Sequence, residues 1–311
     1  MKRIKLIVTS FVLFFCNFSW GQQDSQFTQY MYNTTNLNPA YAGSRGVMSI
    51  FGSHRNQWIG IDGAPVTNMA AFNAPLNDTR LGIGMSILND RIGPMVDNNI
   101  SADLSYTVDI NYDYKLAFGL KAGANMLNVD FTKLNIYDPY DPRFQHDIDN
   151  KFSPNIGAGV YLYSDNFYAG ISAPRMLRTS YYDKMAGEDA KDFVVNSRMD
   201  TYLMTGLVFD IDYNIKLKTS LLAKVASGAP VQTDIAANLM FNEKFTAGLS
   251  YRWSASLSAM VGFQVSDGLL IGYSYDAETT KLANYNSGSH EIFLRFELFD
   301  NYERIVSPRY F

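Results

Sequence analysis

The chain repeats with a period of two over most of its length, and its charges keep to one side of that repeat. Leu116, Phe118, Leu120, Ala122, Ala124 and Met126 alternate with Ala117, Gly119, Lys121, Gly123 and Asn125. Ile215, Leu217, Thr219, Leu221, Ala223 and Val225 alternate with Lys216, Lys218, Ser220 and Lys224. His290, Ile292, Leu294, Phe296 and Leu298 alternate with Glu291, Phe293, Arg295 and Glu297. Strict alternation marks a strand with two unlike faces. Similar runs cover 81–89, 100–108, 156–163, 199–209, 231–241, 245–253, 255–265 and 269–275, with a shorter one at 167–171. Residues 47–56 and 67–74 are extended by composition, with either face apolar, and complete fourteen candidate strands. Asp103, Lys121, Lys216, Lys218, Lys224, Asp234, Arg252, Arg295 and Glu297 all fall opposite the apolar set. A lipid-facing strand requires this, because Lys or Arg on the lipid side costs about 2–4 kcal/mol at the midplane. The same inward parity is rich in glycine, including Gly82, Gly84, Gly119, Gly157, Gly159, Gly248 and Gly272. A soluble sandwich also alternates, so the distinction rests on the connections.

Those connections are asymmetric. Even-to-odd links at 77–78, 111–113, 164–166, 212–214, 242–244 and 266–268 are short and built of turn formers. Odd-to-even links vary: 129–152 and 173–196 are long, 276–288 is intermediate, and the one at Ser254 is unaccountably tight. Short turns at one end and long loops at the other are the pattern of an outer-membrane barrel. Tyr161, Tyr163, Tyr168, Tyr202, Tyr251, Trp253, Tyr273 and Tyr275 stand near strand ends, where interfacial aromatic girdles belong. The expected fold is an all-β, antiparallel, up-and-down transmembrane barrel of about fourteen strands.

The ends of the chain are distinct. Lys2, Arg3 and Lys5 precede an apolar run over 6–18, and Ser19 and Gly21 supply the small residues of a signal-peptidase site. The run is too short to span a bilayer comfortably. Residues 1–21 are therefore read as a cleaved signal peptide, leaving a mature chain more acidic than the formal −4 and without cysteine, since Cys16 is the sole one. Residues 22–46 form an extended or short-helical segment that could insert in the barrel, 47–299 the barrel, and 300–311 a tail ending in Tyr310-Phe311. Hydrophobic content of 47% with 14% aromatics excludes disorder. The acidic balance argues against nucleic-acid binding. His54, His146 and His290 have no zinc spacing, and no nucleophile elbow, HExxH or phosphate loop can be written, so neither catalysis nor a cofactor is expected.

Several stretches carry a resemblance. Gln26-Phe27-Thr28-Gln29-Tyr30-Met31 is followed by Asn38-Pro39-Ala40-Tyr41-Ala42-Gly43-Ser44, then Arg55-Asn56-Gln57-Trp58 with Asp62-Gly63-Ala64-Pro65. Asn89-Asp90-Arg91-Ile92-Gly93-Pro94, Asp141-Pro142-Arg143-Phe144, Phe167-Tyr168-Ala169-Gly170 and Ser307-Pro308-Arg309-Tyr310-Phe311 continue the series in order. Together they resemble the PorP/SprF family of the type IX secretion and gliding-motility systems of Bacteroidetes. The resemblance implies a fourteen-stranded barrel related to the long-chain fatty-acid transporters, in which Asn38-Pro39-Ala40 matches a motif of the inserted N-terminal segment. It also implies a role in secreting large surface adhesins, with a cargo C-terminal signal domain, periplasmic ring and motor components and a peptidoglycan-binding protein as partners.

Candidate partner contacts are Arg55 and Trp58 at the first outer loop, Asp141, Arg143 and Phe144 in the long acidic loop, and Lys216, Lys218, Lys224 and Arg252 on one inner wall. The bland alternatives are an interfacial Trp with a solvated Arg, and basic residues paired with Glu291 and Glu297. Asp138, Asp141, Asp147 and Asp149 fit no EF-hand and read as a solvated acidic loop, stiffened by Pro139, Pro142 and Pro154. Two functions remain: a secretion component that receives an adhesin's C-terminal domain, or a passive transporter for a small solute. A blocked pore with loop grooves favours the first and an apolar pocket with a lateral exit the second.

Overall fold

The computed structural model describes residues 27–77, 79–134, 147–177, 180–181, 195–196, 199–226 and 229–298. The signal peptide and the C-terminal tail lie outside the described residues, as do Asp138, Asp141, Arg143 and Phe144 of the acidic loop.

Fourteen antiparallel strands close into one barrel, each hydrogen-bonded to its sequence neighbours. They are β1 (Met48–Asn56), β2 (Val66–Pro75), β3 (Leu81–Ile92), β4 (Met95–Asp109), β5 (Lys115–Val129), β6 (Ile148–Tyr163), β7 (Phe167–Arg175), β10 (Asp200–Asp212), β11 (Ile215–Ala226), β12 (Gln232–Phe241), β13 (Phe245–Arg252), β14 (Ser256–Ser266), β15 (Leu269–Glu278) and β16 (Ser289–Leu298). The two-residue strands β8 (Ser180–Tyr181) and β9 (Val195–Asn196) pair only with each other. β1 and β16 close the barrel in a continuous register from Met48↔Leu298 to Asn56↔His290. Closure removes every free edge, which is what lets a sheet cross hydrocarbon with its backbone groups satisfied. Among the described residues no helix is long and apolar enough to cross a membrane.

The two faces sort as the alternation requires. Leu120, Leu249, Phe263, Ile235 and Ile292 point outward and are exposed, whereas Asp103, Lys121, Lys218, Asp234, Arg252 and Arg295 are buried within. An exposed apolar surface running round the whole circumference is untenable in water and is matched by lipid.

Four strands run further than alternation indicates. β3 and β4 continue to a two-residue turn at Gly93-Pro94, and β5 and β6 reach 15 and 16 residues. Pro154 therefore lies in a strand, not a loop. It pairs across to Ala124 of β5, while on its other side the β7 register begins only at Ala158↔Ala173. A residue with no backbone N–H fits where one side of the strand lacks a partner. The tight connection at Ser254 is a genuine turn: Ser254 adopts φ 55° and the Ala255 N–H donates to Arg252 O at 3.1 Å.

The aromatics divide. Tyr251, Trp253, Tyr273 and Tyr275 face outward, but Tyr161, Tyr163, Tyr168 and Tyr202 are buried inside and are not girdle residues. They share parity with Gly157, Gly159, Gly170 and Gly206, and the missing side chains of Gly170 and Gly206 leave room for the Tyr161 and Tyr168 rings.

Leu120→Arg should cut the amount of heat-modifiable barrel in membranes severely, in line with a cost of about 2–4 kcal/mol on the lipid face. The inward double change Asp103→Ser with Lys121→Ser removes a charge pair without stranding either partner, and should leave barrel yield near wild type. Equal yields from the two would contradict the face assignment.

Candidate functional site: the filled lumen and its outer rim

Residues 27–45 lie inside the barrel. They form three short helical turns, Tyr30–Tyr32, Thr34–Leu37 and Pro39–Tyr41, and are buried almost throughout. Pro39 opens the last turn, where its missing N–H costs nothing, and the Asn38 side chain caps it by accepting from the Ala40 N–H at 3.0 Å. The segment touches strands right round the wall. Asn38 Nδ2 donates to Val160 O of β6 at 3.0 Å, Ser172 Oγ of β7 donates to Leu37 O at 2.8 Å, and Ser105 Oγ of β4 donates to Ala42 O at 2.6 Å. On the opposite side Tyr32 stacks on Phe293 of β16 with ring centroids 4.7 Å apart.

The fit depends on bare backbone in the wall. A methyl group at Gly119 would collide with the main chain of Pro39 and Ala40, and one at Gly159 with the Asn38 amide. The Asn38-Pro39-Ala40 turn thus sits in a socket that any side chain would fill.

Charges hold the other end. Arg55 Nη2 lies 2.6 Å from Asp276 Oδ2, and Nη1 lies 3.0 Å from Glu291 Oε2. Thr28 joins the cluster: its N–H donates to Glu291 at 2.9 Å, its hydroxyl donates to Asp276 at 2.7 Å, and its oxygen accepts from Arg55 at 3.0 Å. Arg252 pairs with Asp234 at 2.9 Å and donates to Phe27 O at 3.4 Å. Near the other end of the segment Arg45 pairs with Glu297, which Arg295 also approaches at 3.4 Å. Removing one member of such a group strands a buried charge, at about 3–5 kcal/mol. Burial, reinforced by the Tyr168 phenol and the Asp234 carboxylate, raises the Tyr30 phenol well above its usual range. Burial likewise raises Tyr32, so both rings present neutral hydroxyls.

A cavity of about 30 Å³ lies between Phe27, Tyr30, Asn33 and Leu37 of the segment and Tyr202 and Leu222 of the wall. That is room for one or two waters, far below the ~150 Å³ of an engineered cavity that admits benzene.

The residues singled out from sequence do not converge. Arg55 is not solvated at an outer loop but only 2% exposed in the lumen. Lys224 pairs with Asp200 at 3.3 Å and Arg252 with Asp234, while Lys218 lies 5.8 Å from the Tyr168 ring centroid. Lys224 and Arg252 are thus ion-paired from neighbouring strands, while Glu291 bonds Arg55 and Glu297 bonds Arg45 and Arg295. Lys216 sits at the short-turn end, 3.7 Å from Glu243. Trp58 is at the outer rim with φ 47°, its Nε1 donating to Glu278 at 2.8 Å. Sequence reasoning missed Thr28 as an anchor and Asp276 and Glu291 as its partners. The inward parity of Glu291 was legible; Asp276 was read as the start of the 276–288 connection, and the convergence of both on Thr28 had no local signal.

Three described connections of the outer rim are tied together. The 57–65 loop meets the 279–288 loop through Ile59 N to Gly288 O at 2.9 Å and Ser287 N to Ile59 O at 2.8 Å. It also holds the β3–β4 turn through Gly93 N to Gly63 O at 2.8 Å. Leu127, Val129, Phe131 and Ile148 form a second apolar cluster where β5 and β6 run on beyond β7. Beside it Asp147 accepts from the Phe131 N–H at 2.8 Å, and hydrogen bonds from Thr132 and Lys133 lower the Asp130 carboxyl. Among the described residues no three His, Cys, Asp or Glu side chains gather as a metal site.

A family model described as type IX secretion system membrane protein PorP/SprF matches residues 19–296. No curated protein sequence matches the chain. Similar solved structures include the outer membrane protein Omp33 of Acinetobacter baumannii, at 11% identity and TM-score 0.47 over 81% of this chain and 98% of that one. The Ralstonia pickettii toluene transporter TbuX has 10% identity and TM-score 0.47 over 86% and 92%. The CymD monoaromatic hydrocarbon channel has 12% identity and TM-score 0.48 over 90% and 95%. Nothing about a ligand of this chain follows from identities this low.

Gly159→Val should push the Asn38-Pro39-Ala40 turn off its socket, so that the variant conducts steadily in a planar bilayer where the wild type stays closed. Wild-type and variant barrels with the same conductance would contradict the socket. Arg55→Met should lower thermal stability by about 3–5 kcal/mol and open the N-terminal segment to protease, because it strands Asp276 and Glu291.

Proposed function

Because the chain belongs to the PorP/SprF family of type IX secretion system membrane proteins, we propose that it acts without catalysis in the outer membrane, after removal of its leader. There it supports secretion and surface retention of a cognate adhesin-type cargo by binding the cargo's C-terminal signal domain. The family match carries the system. The filled lumen supports the mode: with the interior occupied by the chain's own residues 27–45, a partner has the outside of the barrel to bind. The cross-linked outer rim around Trp58, with the extended β3–β6 wall beside it, offers the cargo a stiff surface. Periplasmic ring and motor components, and a peptidoglycan-binding partner, would meet the short-turn end, where Tyr112 and Tyr213 are 100% and 94% exposed.

Passive transport of a small apolar or polar solute is the weaker reading. It needs a continuous path through the barrel, and the burial of residues 27–45 inside the lumen weighs against one.

Deleting the gene should abolish surface display of one cognate adhesin while leaving uptake of small solutes unchanged. Normal display of every exported cargo in the deletion strain would remove the secretion role, and a selective uptake defect would restore the transporter.

A further inference from the structure

The outward apolar band is lopsided. On β5 it holds six positions, from Leu116 to Met126, before the polar Asn128. On β1 only Met48, Ile50 and Gly52 precede the exposed His54. His54 begins a row of polar side chains on the outer surface. Its Nδ1 lies 2.8 Å from Asn68 Oδ1, Asn68 Nδ2 lies 3.4 Å from Asn89 Oδ1, and Asn89 Nδ2 donates to Asn98 Oδ1 at 2.7 Å. The row follows one register line, His54↔Asn68, Asn68↔Asn89 and Asn89↔Asn98, across β1 to β4.

Height decides what this row faces. At about 3.4 Å per residue and a tilt near 40°, His54 lies roughly 16 Å above the short-turn end of β1, and Asn98 roughly 29 Å above that of β4. The apolar band of such barrels is about 25 Å tall. The row thus starts inside the band and climbs out of it. At the level of His54 the far wall presents Leu221 and Ile235, both exposed and apolar. Amides in hydrocarbon are costly unless every donor is used. Each asparagine has two amide hydrogens, and the row itself consumes no more than one of each.

The surroundings are one-sided in charge. Within their spans, the outward positions of β16 and β1 to β4 include no Asp or Glu. They include exposed Arg91 above the row, between Val66 and Val96, and His290 beside Asn56, with the Tyr273 hydroxyl on its Nδ1. This is a donor-rich strip, cationic where it is charged, set where the hydrophobic band is shortest. Leaflet headgroups come down to such a dip, and the strip meets them with amide, imidazole and guanidinium donors that suit phosphate and sugar oxygens.

We propose that the ladder His54–Asn68–Asn89–Asn98, with Arg91 above it, docks the phosphorylated sugar headgroup of an outer-leaflet glycolipid on the outside of the barrel. The test uses full-length protein extracted from its native membrane in mild detergent, with heat-modifiability confirming a folded barrel. Retained phosphorylated glycolipid is then counted by native mass spectrometry. Wild type should hold it at a fixed ratio. The double variant Asn68→Leu with Asn89→Leu should lose it at least tenfold, and Ile235→Ala on the far wall should keep it. If the double variant does not fold, Arg91→Gln at the exposed rim should still lower the retained fraction severalfold. No bound glycolipid in wild type, or equal retention in wild type and folded variants, would overturn the proposal. So would a protein that co-purifies in the lipid's place and is lost in the variants. Surface display of cargo is not read in this experiment, so its outcome is separable from that of the secretion role.

Discussion

A strand bordered by lipid must put its charges on the other face, and in a closed barrel that other face is an interior that has to neutralise whatever it receives. Much of this molecule follows from that constraint. Asp103 meets Lys121 at 2.9 Å, Asp200 meets both Lys224 and Arg175 at 3.3 Å, and Asp234 meets Arg252 at 2.9 Å. Each is a pair between neighbouring strands, so the ladder register that closes the barrel also matches the charges. The outer face gives up polarity and the inner face takes it on, already paired.

What the wall cannot satisfy, the N-terminal segment does. Thr28 sits among Arg55, Asp276 and Glu291, and Phe27 O receives Arg252. Further along, the segment changes its means of attachment from ion pairs to close backbone approach, with Asn38-Pro39-Ala40 against Gly119 and Gly159. The two attachments differ physically. Ion pairs fix position strongly but tolerate side-chain movement, whereas the glycine socket admits a single backbone path. A segment tied in both ways at separate heights behaves as part of the core, and tyrosines from both parties, such as Tyr41 and Tyr161 at 5.5 Å, pack between them.

The barrel was legible in the sequence because its signal is the lipid boundary itself. Where that boundary ends, legibility ends. The outer halves of β3 to β6 carry Asn89, Asn98 and Asn128 on the outward parity, so alternation fades and the strands read as loop. Arg55 was misplaced for the same reason: His54 and Asn56 flank it with polar side chains, leaving no contrast to reveal which face it takes. Tyr161 and Tyr163 were read by their place near a strand end, although their shared parity with Gly157 and Gly159 already pointed inward. Asn38-Pro39-Ala40 could be recognised as a motif, but its glycine socket is assembled from β5 and β6 and has no local signature. Pairing partners were the least accessible, since they depend on register between strands and not on either strand alone.

Membership in a secretion system and a lumen filled from within fit together if the outer surface is the working surface. At the rim the 57–65 loop is hydrogen-bonded to the 279–288 loop and to the β3–β4 turn, the apolar cluster around Leu127 and Phe131 stiffens the extended wall, and the interior is committed to holding residues 27–45. The most direct test of that account is hydrogen–deuterium exchange of the intact protein in a lipid nanodisc, followed over peptides spanning residues 27–45. Filled as described, the lumen should protect these amides, among them the bonded N–H groups of Asn38, Tyr41 and Ala42, for as long as it protects the barrel strands. Exchange within seconds, while the strands remain protected, would mean that the segment is not seated and the lumen is open.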